Sequence, residues 1–117
     1  MENPNKETAI HDVTIERRAT FPLELTLTAD GSAWDLTGYS FIAQVWDTAR
    51  KVKYADFAIE YVNRSQGKIN FKLTPDQTET FKLDILKYDI KYKQTNNDEK
   101  YLMEGTIYMS EGYSDFA

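Results

Sequence analysis

The stretch Trp34-Asp35-Leu36-Thr37-Gly38-Tyr39, with the run from Ser40 to Trp46 that follows it, decides the fold. Gly38 predicts a tight corner, because glycine adopts the positive φ angles that such turns need. Beyond the corner the side chains alternate as they do in a β-strand. One face carries Tyr39, Phe41, Ala43 and Val45, and the other carries Ile42 and Trp46. The sequence therefore predicts a central strand that is covered on both faces.

Six further stretches show the same two-residue alternation, at residues 10–17, 21–28, 52–62, 68–73, 86–93 and 101–109. Turn-forming residues separate several of them, for example Asp30-Gly31, Asn63-Arg64-Ser65-Gln66-Gly67 and Asn96-Asn97-Asp98-Glu99. About seven short strands with little helix are typical of an all-β protein. We predict an antiparallel β-sandwich of the Ig-like type; a partly open barrel fits the same pattern.

One stretch predicts a helix. Thr74 suits the N-cap, Pro75 the first helical position, and Gln77 the place of a capping-box partner. The sequence therefore predicts one short helical turn near residues 75–81.

The 117 residues fit a single domain that spans residues 1–117, with a flexible N-terminal arm of about residues 1–9 and a short C-terminal tail of about residues 111–117. A hydrophobic fraction of 41% and an aromatic fraction of 14% supply enough large side chains for one core. The chain has no cysteine, which excludes disulfides and thiolate metal sites within it.

Net charge and hydropathy restrict the partners. A formal net charge of −5 argues against a nucleic-acid binder, which needs a basic surface to displace counterions. No apolar run approaches the roughly 20 residues of a membrane span, and the polar N-terminus does not resemble a signal peptide. We therefore expect a protein that is made in a cytoplasm and has neither nucleic acid nor a membrane as its partner.

The sequence predicts no enzyme, no cofactor and no metal site. His11 is the only histidine, and no motif supplies it with a catalytic partner. Asp76 with Glu79 fits the start of a helix, and Asp98 with Glu99 fits a solvated turn. Neither pair has the ligand spacing of a calcium loop.

The aromatic side chains leave two interpretations open. Several tyrosines, with Trp34 and Trp46, could form a platform on which sugars stack. Most of them alternate with charged residues, however, and aromatic residues in strands usually build a core or a protein interface. The pattern favours the core or an interface over a carbohydrate site.

Several segments in order resemble a short domain of tailed-bacteriophage structural proteins, similar to the N-terminal module of baseplate upper proteins. They lie within residues 12–110: Ile15-Glu16-Arg17-Arg18-Ala19-Thr20-Phe21, residues 34–45, residues 67–78, Tyr88-Asp89-Ile90 and Glu104-Gly105-Thr106-Ile107. In the first segment, Arg18 stands where glycine is common in that family. Leu86-Lys87-Tyr88-Asp89 also departs from the Tyr-x-Tyr-Asp segment that is usual in that family.

The resemblance implies a non-catalytic adaptor in a virion tail, neck or baseplate, made in the host bacterial cytoplasm, whose partners are other virion proteins and copies of itself. The alternatives are a receptor- or carbohydrate-binding module of a tail fibre, or a head decoration protein. We expect contacts at the two chain ends and at the edge strand near Pro22. The candidate contact residues are Ile10, His11, Pro22, Trp34, Trp46, Tyr113 and Phe116.

Overall fold

The computed structural model describes residues 8–114 and has an all-β, sandwich-like fold. Its strands are β1 (Ala9–Ile10), β2 (Val13–Glu16), β3 (Phe21–Thr26), β4 (Thr28–Ala29), β5 (Ser32–Ala33), β6 (Ser40–Trp46), β7 (Lys53–Asp56), β8 (Ala58–Asn63), β9 (Lys68–Leu73), β10 (Ile85–Lys93) and β11 (Glu99–Ser110). The larger sheet has the order β1-β11-β10-β6-β7, and β2 also pairs with β11. The smaller sheet has the order β3-β9-β8, and β4 and β5 form a separate hairpin.

Apolar side chains from the two sheets form one core. Phe41 on β6 lies 6.4 Å from Phe71 on β9, and Phe57 lies 6.4 Å from Phe71 and 6.2 Å from Tyr88 on β10, measured between ring centroids. The alternation predicted for residues 86–93 is confirmed: Leu86, Tyr88, Ile90 and Tyr92 are buried, and the residues between them point away from the core.

Three of the seven predicted strands are each divided in two. Residues 21–28 contain β3 and the start of β4, which belongs to the separate hairpin. Residues 52–62 contain β7, which belongs to the larger sheet, and β8, which belongs to the smaller one. The chain crosses at the buried Phe57, whose N–H donates to the Ala43 carbonyl at 2.9 Å. The sequence did not reveal this crossing, because the alternation continues through it.

The predicted strand at residues 10–17 is interrupted between β1 and β2. Both segments pair with β11 in the parallel sense, so the prediction of a purely antiparallel sandwich is wrong at this edge. The other strand pairs are antiparallel within residues 8–114. The Ig-like strand arrangement stays a prediction.

The predicted corner is confirmed. Gly38 has a φ of 83°, and the Tyr39 N–H donates to the Leu36 carbonyl at 3.0 Å. The Asp35 carboxylate accepts from the N–H and the hydroxyl of Thr37, at 2.9 and 2.7 Å, and these hydrogen bonds lower the pKa of Asp35. Asp35 therefore holds the turn in its carboxylate form.

Arg64 fixes this corner to the smaller sheet. It lies in a 3-10 turn at Arg64–Gln66, and its guanidinium donates to the carbonyls of Leu36 and Tyr39 at 3.0 and 2.9 Å. The same guanidinium lies 3.7 Å above the ring of Tyr61 on β8.

The predicted helical turn is confirmed as α1 (Pro75–Glu79). Thr74 caps it and forms the predicted capping box with Gln77. Thr78, which is fully buried, donates through its hydroxyl to the Ala19 carbonyl at 2.9 Å and accepts from the Ala19 N–H at 3.2 Å. The helix is thereby tied to the segment that precedes β3. None of the helices in residues 8–114 is long and apolar enough to cross a membrane.

The ends differ in part from the prediction. Ala9, assigned to a flexible arm, pairs with Met103 within β1, so the arm does not extend to residue 9. Glu111, assigned to the tail, forms ion pairs with Arg17 and Arg18. The rest of the predicted arm and tail at residues 1–7 and 115–117, including Phe116, lies outside the described residues.

Candidate functional site

The outer face of the larger sheet carries rows of side chains that the strand register sets side by side. One row contains Gln44, Asp89 and Glu104, on β6, β10 and β11. The row on one side contains Trp46, Lys87 and Thr106, and the row on the other side contains Ile42, Lys91 and Tyr101. Since directly opposite residues in a sheet project to the same side, these three rows form one surface.

This surface is concave and encloses a cleft of about 610 Å³, which we call the outer cleft. Its size falls within the range of small-molecule sites. The outer cleft is lined by the three rows and by neighbouring residues from the N-terminal edge and the β6–β7 connection: Ile10, Asp12, Asp47, Thr48, Arg50, Tyr88 and Gly105.

Trp46 and Arg50 form one wall. The indole N–H of Trp46 donates to the side-chain oxygen of Gln44 at 3.0 Å, which fixes the ring on the outer face of β6. The guanidinium of Arg50 lies 5.1 Å from the centroid of the Trp46 ring. This wall therefore combines an aromatic surface with a positive charge.

Asp89 and Glu104 form the acidic centre of the outer cleft. They are direct cross-strand neighbours, an arrangement that is unfavourable for two carboxylates. Partial burial, and next the charge of Glu104, raise the pKa of Asp89, whereas Arg50 and Lys91 act in the opposite direction. The centre would be stabilised by a proton, a cation or a hydrogen-bond donor between the two carboxyl groups.

The opposite wall consists of Lys91 and Tyr101. The Lys91 ammonium lies 5.2 Å from the centroid of the Tyr101 ring and 2.8 Å from a carboxylate oxygen of Glu99. The hydrogen bond between the two charged groups raises the pKa of Lys91 and lowers that of Glu99. This wall has the same combination of aromatic ring and cation as the first.

A β-bulge brings Tyr101 into the outer cleft. The register of β10 and β11 shifts where Ile90 faces Met103 and Lys91 faces Tyr101, so that Leu102 is the extra residue. As a result Leu102 and Met103 both face the core, while Tyr101 and Glu104 both face outward. Bulges often redirect a side chain in this way beside a functional site.

The structure brings together two of the predicted contact residues in the outer cleft. Ile10, 76% exposed, and Trp46, half-buried, both line the outer cleft. His11 is exposed beside it, and Pro22 lies on β3, an edge of the smaller sheet, as predicted. Tyr113, 91% exposed, follows β11.

The prediction of Trp34 as a contact residue is wrong. Its side chain is 6% exposed and lies within a core cluster of rings, 5.2 Å from Tyr39 and 5.4 Å from Tyr92. It belongs to the core and not to a contact surface. The prediction that β6 is covered on both faces is also wrong, because Ile42 on its outer face is 48% exposed.

Sequence reasoning missed Gln44, Asp89, Glu104 and Tyr101 as members of one site. The alternation did place Asp89 on the face opposite the core, but the strand register that sets it beside Glu104 has no local signal. Among residues 8–114 the structure contains no group of three or more histidine, cysteine or acidic side chains that could hold a metal ion. The outer cleft offers a ligand hydrogen-bonding groups, charged groups of both signs and aromatic rings.

A comparison of the chain with protein-family models finds no matching model, and a comparison with curated proteins finds no matching sequence.

Proposed function

We propose that the protein is a non-catalytic structural module of a tailed-bacteriophage particle, which joins other virion proteins in the tail, neck or baseplate and copies of itself. The family resemblance of residues 12–110 is the basis of this proposal. The structure supports the proposal because the segments that carry the resemblance lie far apart in the chain and contact one another in the fold.

Three contacts illustrate this support. Tyr88 is paired with Val45 across β10 and β6 and with Gly105 across β10 and β11. Thr78, at the end of the segment at residues 67–78, binds Ala19 of the first segment. Arg18, which stands where the family often has glycine, has a φ of 65°, a conformation that glycine adopts without strain.

The observation that carries the assembly function is the set of sheet edges in residues 8–114. β3 and β8 are the two edges of the smaller sheet, and β7 is one edge of the larger. Edge strands present main-chain groups to which a strand of another chain can add. Val62 on β8 is 56% exposed and would add apolar contact area at such an interface.

Cross-linking mass spectrometry of purified particles tests the proposal. Lysines on or beside the edges, such as Lys53 and Lys72, are expected to link to tail, neck or baseplate proteins. Links only to the outermost fibres would favour a receptor-binding role. A particle preparation that lacks the chain would overturn the proposal.

The outer cleft favours carbohydrate binding as a second candidate function. Sugars are bound by aromatic faces together with amide, carboxylate and cationic side chains, and the outer cleft combines Trp46 with Gln44, Asp89 and Arg50. The sugar would replace Arg50 on the indole ring.

A glycan array followed by calorimetry tests this candidate. Saturable binding that is lost in Trp46→Ala and kept in Tyr113→Ala would support it, since Tyr113 is exposed elsewhere. Trp34→Ala is not a useful variant here, because it removes a core side chain. Binding that survives Trp46→Ala would exclude the outer cleft as the sugar site.

A further inference from the structure

The N-terminal segment contacts the larger sheet mainly along β11. The β11 of a second copy of the chain could provide the same contacts. β1 and β2 pair with β11 alone. Between them, the His11 N–H donates to the Glu104 carbonyl at 2.9 Å, and the Asp12 carboxylate accepts from the Thr106 N–H at 2.9 Å. The Tyr88 hydroxyl donates to the His11 carbonyl at 2.6 Å.

Arg17 continues this attachment. Its N–H donates to the Ser110 carbonyl at 2.9 Å, and its guanidinium donates to the Phe81 carbonyl at 3.1 and 2.8 Å and forms an ion pair with Glu111. Residues 8–17 are therefore held by the larger sheet and by the segments that flank it.

Ala19, two residues later, is also held from the other side of Arg18. It exchanges hydrogen bonds with Thr78 just before β3 begins the smaller sheet, and its N–H also donates to the Glu16 carbonyl at 3.2 Å, which closes a turn around Arg18. Arg18 is thus the residue between two anchored neighbours, and its φ of 65° is a left-handed conformation that costs a non-glycine residue about 1–2 kcal/mol.

A short, strained hinge between an edge strand and the rest of a domain favours exchange of that strand between two copies. The exchanged strand would make the same contacts on the β11 of the second copy, and Arg18 would be released into an extended conformation. The hinge strain is then relieved and the strand pairing is kept, at the cost of the hydrogen bond between Ala19 and Glu16 across the hinge.

We propose that the segment at residues 8–17 exchanges reciprocally between two copies of this chain, with Arg18 as the hinge. The partner is a second copy, and the surface it uses is the edge of β11. The inference deepens the proposed assembly function by naming one of its partners, but its evidence is the geometry of Arg18 and not the family resemblance.

The absence of cysteine makes a direct test possible. Thr14 and Tyr108 are partners in the parallel register of β2 and β11, and both side chains are exposed. A variant with Thr14→Cys and Tyr108→Cys forms a disulfide within one chain if the strand stays with its own sheet. It links two chains if the strand has exchanged.

The variant is refolded at two protein concentrations, oxidised, and analysed by non-reducing electrophoresis and mass spectrometry. We expect disulfide-linked dimers, with a dimer-to-monomer ratio that rises roughly tenfold when the free-monomer concentration is raised tenfold. Adding Arg18→Gly, which removes the hinge strain, is expected to lower that ratio.

The control is Thr26→Cys with Lys68→Cys, a pair in the antiparallel register of β3 and β9, which lie on the same side of the hinge. It is expected to give disulfides within one chain. Two results would overturn the exchange. One is that the Thr14–Tyr108 pair forms disulfides only within one chain at all concentrations. The other is that both pairs give the same ratio of dimer to monomer. Links to other virion proteins in particles would then still support the assembly function, so the two proposals fail separately.

Discussion

The main-chain carbonyl of His11 occupies the space beside Gly105 that a side chain there would need. A Cβ on Gly105 would overlap this carbonyl and would lie 2.9 Å from the Tyr88 ring. Because Gly105 has no side chain, the main chain between β1 and β2 can lie directly against β11. The same space allows the Tyr88 hydroxyl to reach the His11 carbonyl.

Gly105→Ala is expected to destabilise the protein by about 1–3 kcal/mol, as overpacking of a closed site does. The measurement is urea denaturation, with hydrogen exchange of the β1 and β2 amides as a local readout. Gly112→Ala is the matched control, because its Cβ would meet the Arg17 carbonyl at 3.3 Å and needs only a small adjustment. Equal stability of the two variants would show that the crossing at Gly105 is not tightly packed.

Thr78→Val should cost about 1–3 kcal/mol of unfolding free energy, since it leaves the main-chain groups of Ala19 without their hydroxyl partner. Valine has nearly the same shape, so the change in packing is small. The control is Thr80→Val at the C-terminal end of the same helix: Thr80 is exposed, and its hydroxyl donates to the Gln77 carbonyl at 2.6 Å. If the two variants lose the same stability in chemical denaturation, the buried contact between Thr78 and Ala19 has no special role.

The features that the sequence predicted are those with local signals. Gly38 at the corner, the capping box of Thr74 with Gln77, and the alternation of residues 86–93 each follow from the conformational preference of a few neighbouring residues. The predicted chain reversals at Asp30-Gly31 and at Asn97 are also present, with positive φ at these residues.

The features that it missed depend on distant pairing. The bulge at Leu102 reverses the outward or inward direction of Tyr101, and only the register with β10 reveals it. The parallel pairing of β1 and β2 with β11 joins the two ends of the chain, for which alternation alone gives no signal. The outer cleft is a product of this register, and so only two of its lining residues, Ile10 and Trp46, were named as candidate contact residues from the sequence.

Arg64→Lys is expected to reduce stability by about 1.5–3 kcal/mol. A single guanidinium nitrogen, Nη1, donates to the carbonyls of Leu36 and Tyr39 while the planar guanidinium stacks on Tyr61, and a lysine ammonium has no planar group with which to keep that stacking. Arg50→Lys serves as the control, because Arg50 is exposed and lies farther from its ring, 5.1 Å from Trp46. We expect that variant to change stability by at most about 0.5–1 kcal/mol. Thermal and urea unfolding measure the stability of both variants. If Arg64→Lys leaves the stability unchanged, Arg64 does not anchor the corner.

Asp89→Asn tests the acidic centre of the outer cleft through its pH dependence. Because burial and Glu104 raise the pKa of Asp89 in the folded state, that state holds its proton more tightly than the unfolded chain does. The contribution of Asp89 to stability is then present below its ordinary pKa of 3.8 and is lost as the pH rises through the raised value. At neutral pH the neutral amide should therefore be more stable than the wild type, by about 0.2–1 kcal/mol, which is typical of a cross-strand pair.

This advantage of Asp89→Asn should shrink as the pH is lowered towards 3.8, where the wild-type carboxyl group takes up its proton. Urea denaturation at a series of pH values measures the difference between the two proteins. In Glu104→Gln the gain from Asp89→Asn should be smaller, since one source of repulsion is already absent. Asp56→Asn is the control: Asp56 faces Gln44 from β7 and forms an ion pair with Lys53 at 3.0 Å, so its removal should not stabilise the protein. If Asp89→Asn is less stable than the wild type at neutral pH, the charged form of Asp89 is favoured by the fold, and the outer cleft does not hold an unfavourable carboxylate pair.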